Sequence, residues 1–351
     1  MQFIKDDVNI DFIGNRKKAF FLSSFLIVLT IVMLIYRGGP NLGVDFTGGI
    51  VIQVKMEHSH SPAEIKEALT PVNLQDSIIQ EFEGEEQHEY LIRVQNPEIE
   101  DQGGLSDNVK STLIEKFGDS TEIRNFEYVG PKVGSDLRDA AMFAIFFSIL
   151  FIAIWISGRF ELKWLMSIVM AASLGIVVYI GEKIGISITW LTIVALVVTI
   201  ILCWVLKLKY AMGAIIALIH DVTITIGAFA LTDREISLAI VAALLTIVGY
   251  SLNDTIVVFD RIRENLKRFR KREVEEVMNS SINETLSRTI LTSVTTLIVV
   301  VALFVLGGGV IHDFAFAMLI GILVGTYSSI FVASPIILAW EGRFSKNNKT
   351  K

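Results

Sequence analysis

A run of about 20 apolar residues is satisfied by one structure above all, a helix through a bilayer, because a helix bonds its own backbone where no water is present. This chain has eight such runs, at 19–36 and at about 139–157, 163–181, 187–206, 210–231, 236–259, 289–307 and 314–340. That count limits the fold class to a polytopic α-helical membrane protein. The composition agrees: 52% of the 351 residues are hydrophobic and 19% are charged, with a mean hydropathy of +0.57, far from a soluble domain. The first run follows Arg16, Lys17 and Lys18. It is long for the apolar region of a signal peptide and lacks an A-x-A-like cleavage site, so it reads as a retained helix. Before it, Phe3, Ile4, Ile10, Phe12 and Ile13 lie among charges and suit either the membrane surface or a partly ordered leader. The single cysteine, Cys203, falls inside an apolar run, which excludes a disulfide framework and a cysteine metal cluster.

Between Arg37 and Arg138 nothing can span a bilayer, and the composition is that of a soluble domain. It opens with Asn41–Gly49 (NLGVDFTGG) and continues into a strand where Ile50, Ile52 and Val54 alternate with Val51, Gln53 and Lys55. Ser61, Pro62 and Glu64 predict a helix start with a capping box. Strands follow near Ser77–Glu83 and His88–Val94. A helix over Ser106–Phe117, with Val109, Leu113, Ile114 and Phe117 on one face, ends at Gly118. The last strand covers Thr121–Val129. The order βαββαβ predicts an α+β ferredoxin-like sheet with helices on one face.

Charge sets the orientation. Residues 37–138 hold 19 Asp+Glu against 9 Lys+Arg, a net of −10, which leaves +4 of the chain's total of −6 for the rest. The basic residues Arg16 to Lys18, Arg159, Lys163, Lys207, Lys209, the run Lys267 to Arg272, and Arg343, Lys346 and Lys349 fall on one side, which the positive-inside rule makes the cytoplasm. The expected layout is a cytoplasmic segment 1–18, a first helix 19–36, an extracytoplasmic domain 37–138, a seven-helix bundle 139–340 and a cytoplasmic tail 341–351. Both termini are then cytoplasmic. A weak internal repeat relates the hairpin at about 159–207 to the next one, with Leu162-Lys-Trp matching Leu208-Lys-Tyr. The first copy has Leu174, Gly175, Cys203 and Trp204 where the second has His220, Asp221, Asn253 and Asp254, so it carries no ionisable chemistry.

Carboxylates inside the spans need an explanation, since even lenient insertion scales charge them at least ~2.5 kcal/mol in hydrocarbon. Asp221 lies 12 residues after Lys209, roughly 18 Å of helix, at mid-membrane. Gly213, Ala217, Thr225 and Ala228 share its small, polar stripe. A mid-membrane carboxylate is by default a proton, ion or substrate site. His220 is adjacent but points about 100° away, which fits packing as well as proton transfer. Asn253 and Asp254 form a second polar pair, nearer the charged end of a helix whose stripe Ala242, Thr246, Gly249, Asn253 and Asp260 faces other helices rather than lipid. Asp260, Arg261 and Arg263 read as a solvated helix end or a candidate cytoplasmic gate or lipid contact. Thr285, Thr289, Thr292 and Thr296 on one span, and Ala317, Gly321, Gly325 and Ser329 on the last, read as helix-packing faces. There is no Walker loop, no G-x-S-x-G and no His set at metal spacing, so neither an enzymatic reaction nor a cofactor or metal is expected.

Four motifs resemble the SecF family, the SecF subunits of SecDF protein-export complexes within the resistance-nodulation-division transporters. They are Gly43–Gly49 (GVDFTGG), Ala217–Asp221 (ALIHD), Val248–Asn265 (VGYSLNDTIVVFDRIREN) and the ending from Leu319-Ile-Gly to Ser328–Ser334 (SSIFVAS). The resemblance covers nearly the whole chain. It implies six spans and one periplasmic domain in the inner membrane, with SecD, the SecYEG channel and secreted polypeptides as partners beside membrane lipids, and no nucleic acid. It also implies proton-driven secretion, with Asp221, Asn253 and Asp254 in an intramembrane polar site shared with SecD. The departure is Gly158–Leu206, two spans the usual pattern lacks, which bears on how the interface with SecD or the channel is built.

These observations favour a proton-linked motor subunit acting on polypeptides at the outer face. A self-contained small-molecule/proton antiporter would use the same carboxylates, and a structural adaptor would need them only for packing. Stoichiometry, the driving ion, the residue that carries it, substrate range and the role of the extra hairpin stay open at this level.

Overall fold

The computed structural model describes residues 9–74, 77–83, 88–95, 105–118, 120–161 and 163–349. Phe3, Ile4 and Leu162 lie outside them. The chain is a polytopic helical membrane protein with one small α+β domain. Among the described residues, eight helical segments are long and apolar enough to cross a membrane.

Helix α1 (Arg16–Arg37) leads into the outer domain. There, one turn of helix α2 (Val44–Thr47) precedes strand β1 (Gly49–Met56), where the sequence suggested an open segment running straight into the strand. Then come α3 (Pro62–Ala68), β2 (Ile78–Glu83), β3 (His88–Gln95), α4 (Leu105–Phe117) and β4 (Glu122–Val129). The sheet order is β2-β3-β1-β4, antiparallel throughout, which is the ferredoxin-like arrangement. Alternation decides the faces: Ile50, Ile52, Val54 and Met56 are buried against Ile65, Val109 and Leu113 of the two helices. The capping box at α3 is formed, with Ser61 Oγ accepting from Glu64 N at 3.3 Å and Glu64 Oε2 accepting from Ser61 N at 2.9 Å.

The bundle comprises α5 (Pro131–Glu161), α6 (Trp164–Ile184), α7 (Ile188–Val205), α8 (Lys209–Thr232), α9 (Leu238–Arg268), α10 (Val274–Leu306), α11 (Gly309–Ser328), a π turn (Ser329–Ala333) and α12 (Ser334–Lys349). Helix α8 is at its centre, touching α1, α5, α7, α9, α11 and α12. Helices α9 and α10 are among those that overrun their apolar runs. At 1.5 Å per residue, the 31 residues of α9 extend to about 46 Å, longer than the membrane core. Helix α10 begins at Val274, because Val277, Met278, Ser281 and Ile282 give its first turns a buried face. The last run is one helix in sequence but is broken by the π turn.

The described part of the segment before α1 packs on the bundle. Phe12 and Ile13 are buried in the bundle core, and Phe12 meets Phe331 edge-on. The backbone N–H groups of Ile10 and Phe12 donate at 2.9 Å to Asn283 and Asn279 of α10. Apolar burial and two asparagines thus hold residues 10–13 against the bundle. The extra hairpin α6–α7 packs on α5, and α7 also on α8. Met170, Leu174, Ala195 and Cys203 join the core that surrounds α8.

Candidate functional site

Asp221 is fully buried on α8, and three neighbours from three helices converge on it. Its Oδ2 accepts from Ser251 of α9 at 2.6 Å and from Ser328 of α11 at 2.8 Å, while its Oδ1 meets Nδ1 of His220 at 2.9 Å. The small stripe predicted on α8 makes this possible: Gly213, Ala217 and Thr225 are buried with it, so neighbouring helices approach closely. On α11 the small residues act likewise, since a Cβ added to Gly321 would lie 2.3 Å from Ile247 of α9. The backbone offset of His220 does not carry its ring away. Its Nε2 reaches Ser23 of α1 at 3.0 Å, and Ser23 meets the hydroxyl of Tyr327 at 3.1 Å.

Asn253 and Asp254 separate. Asp254 is buried and faces α10, where Ser293 donates to it at 3.5 Å and Arg288 acts on it electrostatically. Ser293 also exchanges a 2.7 Å bond with Thr326 of α11. Asn253 points the other way and is exposed, together with Ala242, Thr246 and Gly249. Among the described residues, Ala242, Thr246, Gly249 and Asn253 therefore leave a small, polar face open on α9, while Asp260 at the end of the stripe reaches α5. Of the threonines on α10, Thr285 and Thr289 are buried, while Thr292 and Thr296 donate back to carbonyls of their own helix. At the charged end of α9, Asp260 accepts from Arg159 at 2.7 Å, Arg263 donates to the Arg159 carbonyl at 3.1 Å and Arg261 pairs with Glu284. The three candidate gate residues thus tie α9 to α5 and α10.

The outer domain is seated on the α8–α9 loop. Leu42 pairs with Ile236 in a parallel bridge, Ile236 N donates to Asn41 O at 2.7 Å, and Gly43 N donates to Ile236 O at 2.9 Å. Asp45 Oδ2 accepts from Leu238 N at 2.7 Å. The domain thereby caps α9 from outside, a role the helix's own Ser237 does not perform. Arg93 of β3 pairs at 3.1 Å with Glu235, both largely buried. Burial holds the Glu235 carboxyl above the usual carboxylate range, and the Arg93 charge opposes that only in part. Because the seated form binds this proton more tightly, seating is favoured as pH falls from the raised value towards about 4.5 and loses that contribution as pH rises. The expected result is an asymmetry. Glu235→Gln leaves the domain seated at neutral pH, whereas Arg93→Ala strands a buried carboxylate and loosens it by about 3 kcal/mol. Protease sensitivity of the outer domain in membrane vesicles measures this.

Asp45, Ser251, Ser328 and Arg288 are the contributors that sequence reasoning did not assign. Asp45 and both serines lie inside the recognised motifs. No spacing links the serines to Asp221, or Asp45 to the α9 terminus that it caps.

Relatives agree with this architecture. The family of protein export membrane proteins SecD/SecF, C-terminal, matches residues 109–201 and 179–343, and the SecD/SecF GG motif matches 37–59. The chain is 41% identical to the protein translocase subunit SecF of Magnetococcus marinus, covering 97% of this chain and 95% of that one. The chain belongs to the SecF family. SecF of Vibrio alginolyticus is 40% identical over 96% of this chain and 91% of its own length. Among solved structures, SecDF of Thermus thermophilus, described as a translocon-associated membrane protein, is 29% identical with a TM-score of 0.71. The match covers 97% of this chain but 40% of that one. SecDF in a super-membrane-facing form gives 28% identity and a TM-score of 0.61, over all of this chain and 41% of that one. This SecF-family chain thus spans about two fifths of the SecDF chains, and the two family-profile matches overlap across α6–α7, where the extra hairpin lies.

Proposed function

We propose that this chain is an accessory subunit of the Sec translocase that works with a SecD partner, using the proton gradient to promote polypeptide export through SecYEG across the inner membrane. It has no enzymatic reaction of its own. Its domain 37–138 stands on the periplasmic side and both termini in the cytoplasm, in keeping with the basic cytoplasmic loops. The observation that carries the reading is the position of Asp221. A carboxyl group sealed among three helices, on the helix beneath the seat of the outer domain, is placed to turn a change of protonation into a change of domain posture. Asp254 with Arg288 supplies a second intramembrane acid, on the α10 side of the same helix that Asp45 caps. The open α9 stripe of Ala242, Thr246, Gly249 and Asn253 suits close packing with a helix of the SecD partner.

The test is reconstitution of the complex with SecYEG in proteoliposomes, with export of a secretory polypeptide measured with and without an imposed proton gradient. The expected result is a gradient-dependent component of export that requires this chain. A chain that supports export equally when the gradient is collapsed is an adaptor. Gradient-driven efflux of a small molecule by the chain alone makes it an antiporter.

A further inference from the structure

The hydrogen bonds running from Asp221 to α1 have a direction, and counting their protons gives them a function. Tyr327 donates its hydroxyl proton to the Ala19 carbonyl of α1 at 2.7 Å. In its 3.1 Å contact with Ser23, Tyr327 is therefore the acceptor and Ser23 the donor. With its only proton so used, Ser23 must accept from Nε2–H of His220. A neutral imidazole that carries its proton on Nε2 has a lone pair on Nδ1, and Nδ1 faces Oδ1 of Asp221 at 2.9 Å. The proton in that contact comes either from a carboxylic acid O–H or from an imidazolium N–H. Both descriptions give an Asp221–His220 pair with no net charge and one proton between Oδ1 and Nδ1.

Loss of the Nε2 proton, with the shared proton staying on Nδ1, reverses the chain. The pair becomes a carboxylate facing a neutral imidazole with its proton on Nδ1, and Nε2 turns acceptor. Ser23 then donates to Nε2, which leaves Tyr327 one proton for two acceptors on α1, the Ala19 carbonyl and the Ser23 oxygen. One of its two bonds to α1 is lost whichever it keeps. Proton balance is complete: one proton leaves the pair for solvent, and the Ser23 hydroxyl turns without exchanging its own.

We propose that His220, Ser23 and Tyr327 form a proton-counting clamp, with α1 held to α11 by two hydrogen bonds when the Asp221–His220 pair is protonated and by one when it is not. This rests on the export reading above and names the residues that carry its proton signal to the outer domain. Helix α1 is the arm that enters that domain, and Arg37 at its end pairs with Asp233 beside the domain's seat. A groove of about 1160 Å³ between α1, α8 and α12 opens onto the clamp, and His220 and Ser23 line it. Charged groups facing the pair across that groove are Arg16 and Lys17 of α1, Glu273 and Glu275 at the head of α10, and Glu341 of α12. From α11, Tyr327 stacks on the imidazole with ring centroids 6.1 Å apart. From α9 and α11 the contacts are the neutral Ser251 and Ser328, and Asp254 is engaged on α10. Among the described residues, α5, α7 and the π turn bring no acid or base into hydrogen bonding with either member of the pair.

The clamp is tested on the full chain with its partner in lipid vesicles, with Cys203→Ser and spin labels on cysteines at the exposed Val28 of α1 and Leu323 of α11. In the wild type the label distance at acidic pH differs from that at alkaline pH. Asp221→Asn holds the low-pH distance throughout, because its amide N–H can only donate to Nδ1 while its oxygen keeps both serines. Tyr327→Phe loses the pH-dependent shift. So does Ser23→Ala, which severs the chain without touching the Tyr327 bond to Ala19 and serves where Tyr327→Phe fails to insert. A wild-type distance indifferent to pH, or a full shift retained in both Tyr327→Phe and Ser23→Ala, overturns the clamp. The two readings fail separately. A pH-blind distance alongside export abolished by Asp221→Asn removes the clamp alone; a clamp that behaves as described while Asp221→Asn exports normally removes the export reading alone.

Discussion

Asp221→Asn abolishes the gradient-driven component of export, lowering it at least about tenfold, an effect of roughly 1.4 kcal/mol or more on the driven step, while the complex still assembles. The geometry explains why function goes and fold stays. Asn is isosteric: its oxygen accepts from Ser251 and Ser328 as Oδ2 does, and its amide donates to His220 in place of the shared proton. No buried polar group loses a partner, so no large destabilisation follows. What disappears is the ability to release a proton. Asp221→Glu keeps that ability but forces an extra methylene into a fully closed cradle, and part of the activity remains. Asp254→Asn is the necessary comparison, since Asp254 is also buried and is hydrogen-bonded by Ser293 of α10. Export measured in proteoliposomes under an imposed gradient decides between the two. If Asp221→Asn drives export at the wild-type rate and Asp254→Asn does not, the proton site is Asp254, and Asp221 is a packing residue.

What could be read from the sequence follows from how local each signal is. The eight spans, the alternation in β1 and the capping box at Ser61 depend on residues within a few positions of one another, and the structure has them close to where the periodicity puts them. Asp221 stood out because a carboxylate in an apolar run is costly wherever its partners come from. Those partners were invisible for a different reason. Ser23 lies 197 positions from His220, and Ser328 lies 107 from Asp221, and a serine in an apolar helix is chemically unremarkable until another helix brings an acid to it. Helical phase was informative about Asn253 and Asp254 only once each neighbour was known. One hundred degrees of rotation sends Asp254 to α10 and leaves Asn253 on the open face. The packing of residues 10–13 was not legible because their apolar side chains suit a lipid surface and a protein groove equally. The asparagines that decide the matter, Asn279 and Asn283, sit on the overrun of α10, before its apolar run begins.

Gly49→Ala unseats the outer domain, although it changes one methyl group and lies far from either intramembrane acid. Gly49 has φ of 147°, a conformation that L side chains rarely adopt, and a Cβ built there lies 2.2 Å from the Val94 carbonyl oxygen. The strand cannot step aside, because Gly49 is paired on both edges, to Gln95 of β3 and to Val129 of β4. Neighbouring Gly48 is as constrained, with φ of 76° and a Cβ position 2.8 Å from Pro131 Cα at the start of α5. Backbone strain of this kind costs about 1–3 kcal/mol at one residue, and parting β1 from β3 adds lost ladder bonds. The displacement is delivered to α2, which carries the Asp45 cap on α9, and to the adjoining bridge between Leu42 and Ile236. Disulfide cross-linking across that bridge, with Leu42→Cys and Ile236→Cys in a Cys203→Ser background, measures seating directly. Cross-linking is expected to be efficient in the parent and in a Gly130→Ala control, whose added Cβ has nothing closer than 3.9 Å. In Gly49→Ala it falls several-fold, and gradient-driven export falls with it. Full cross-linking with export lost would place the role of the paired glycines elsewhere than in seating the domain; full cross-linking with export retained would mean that β1 absorbs the methyl group without moving α2.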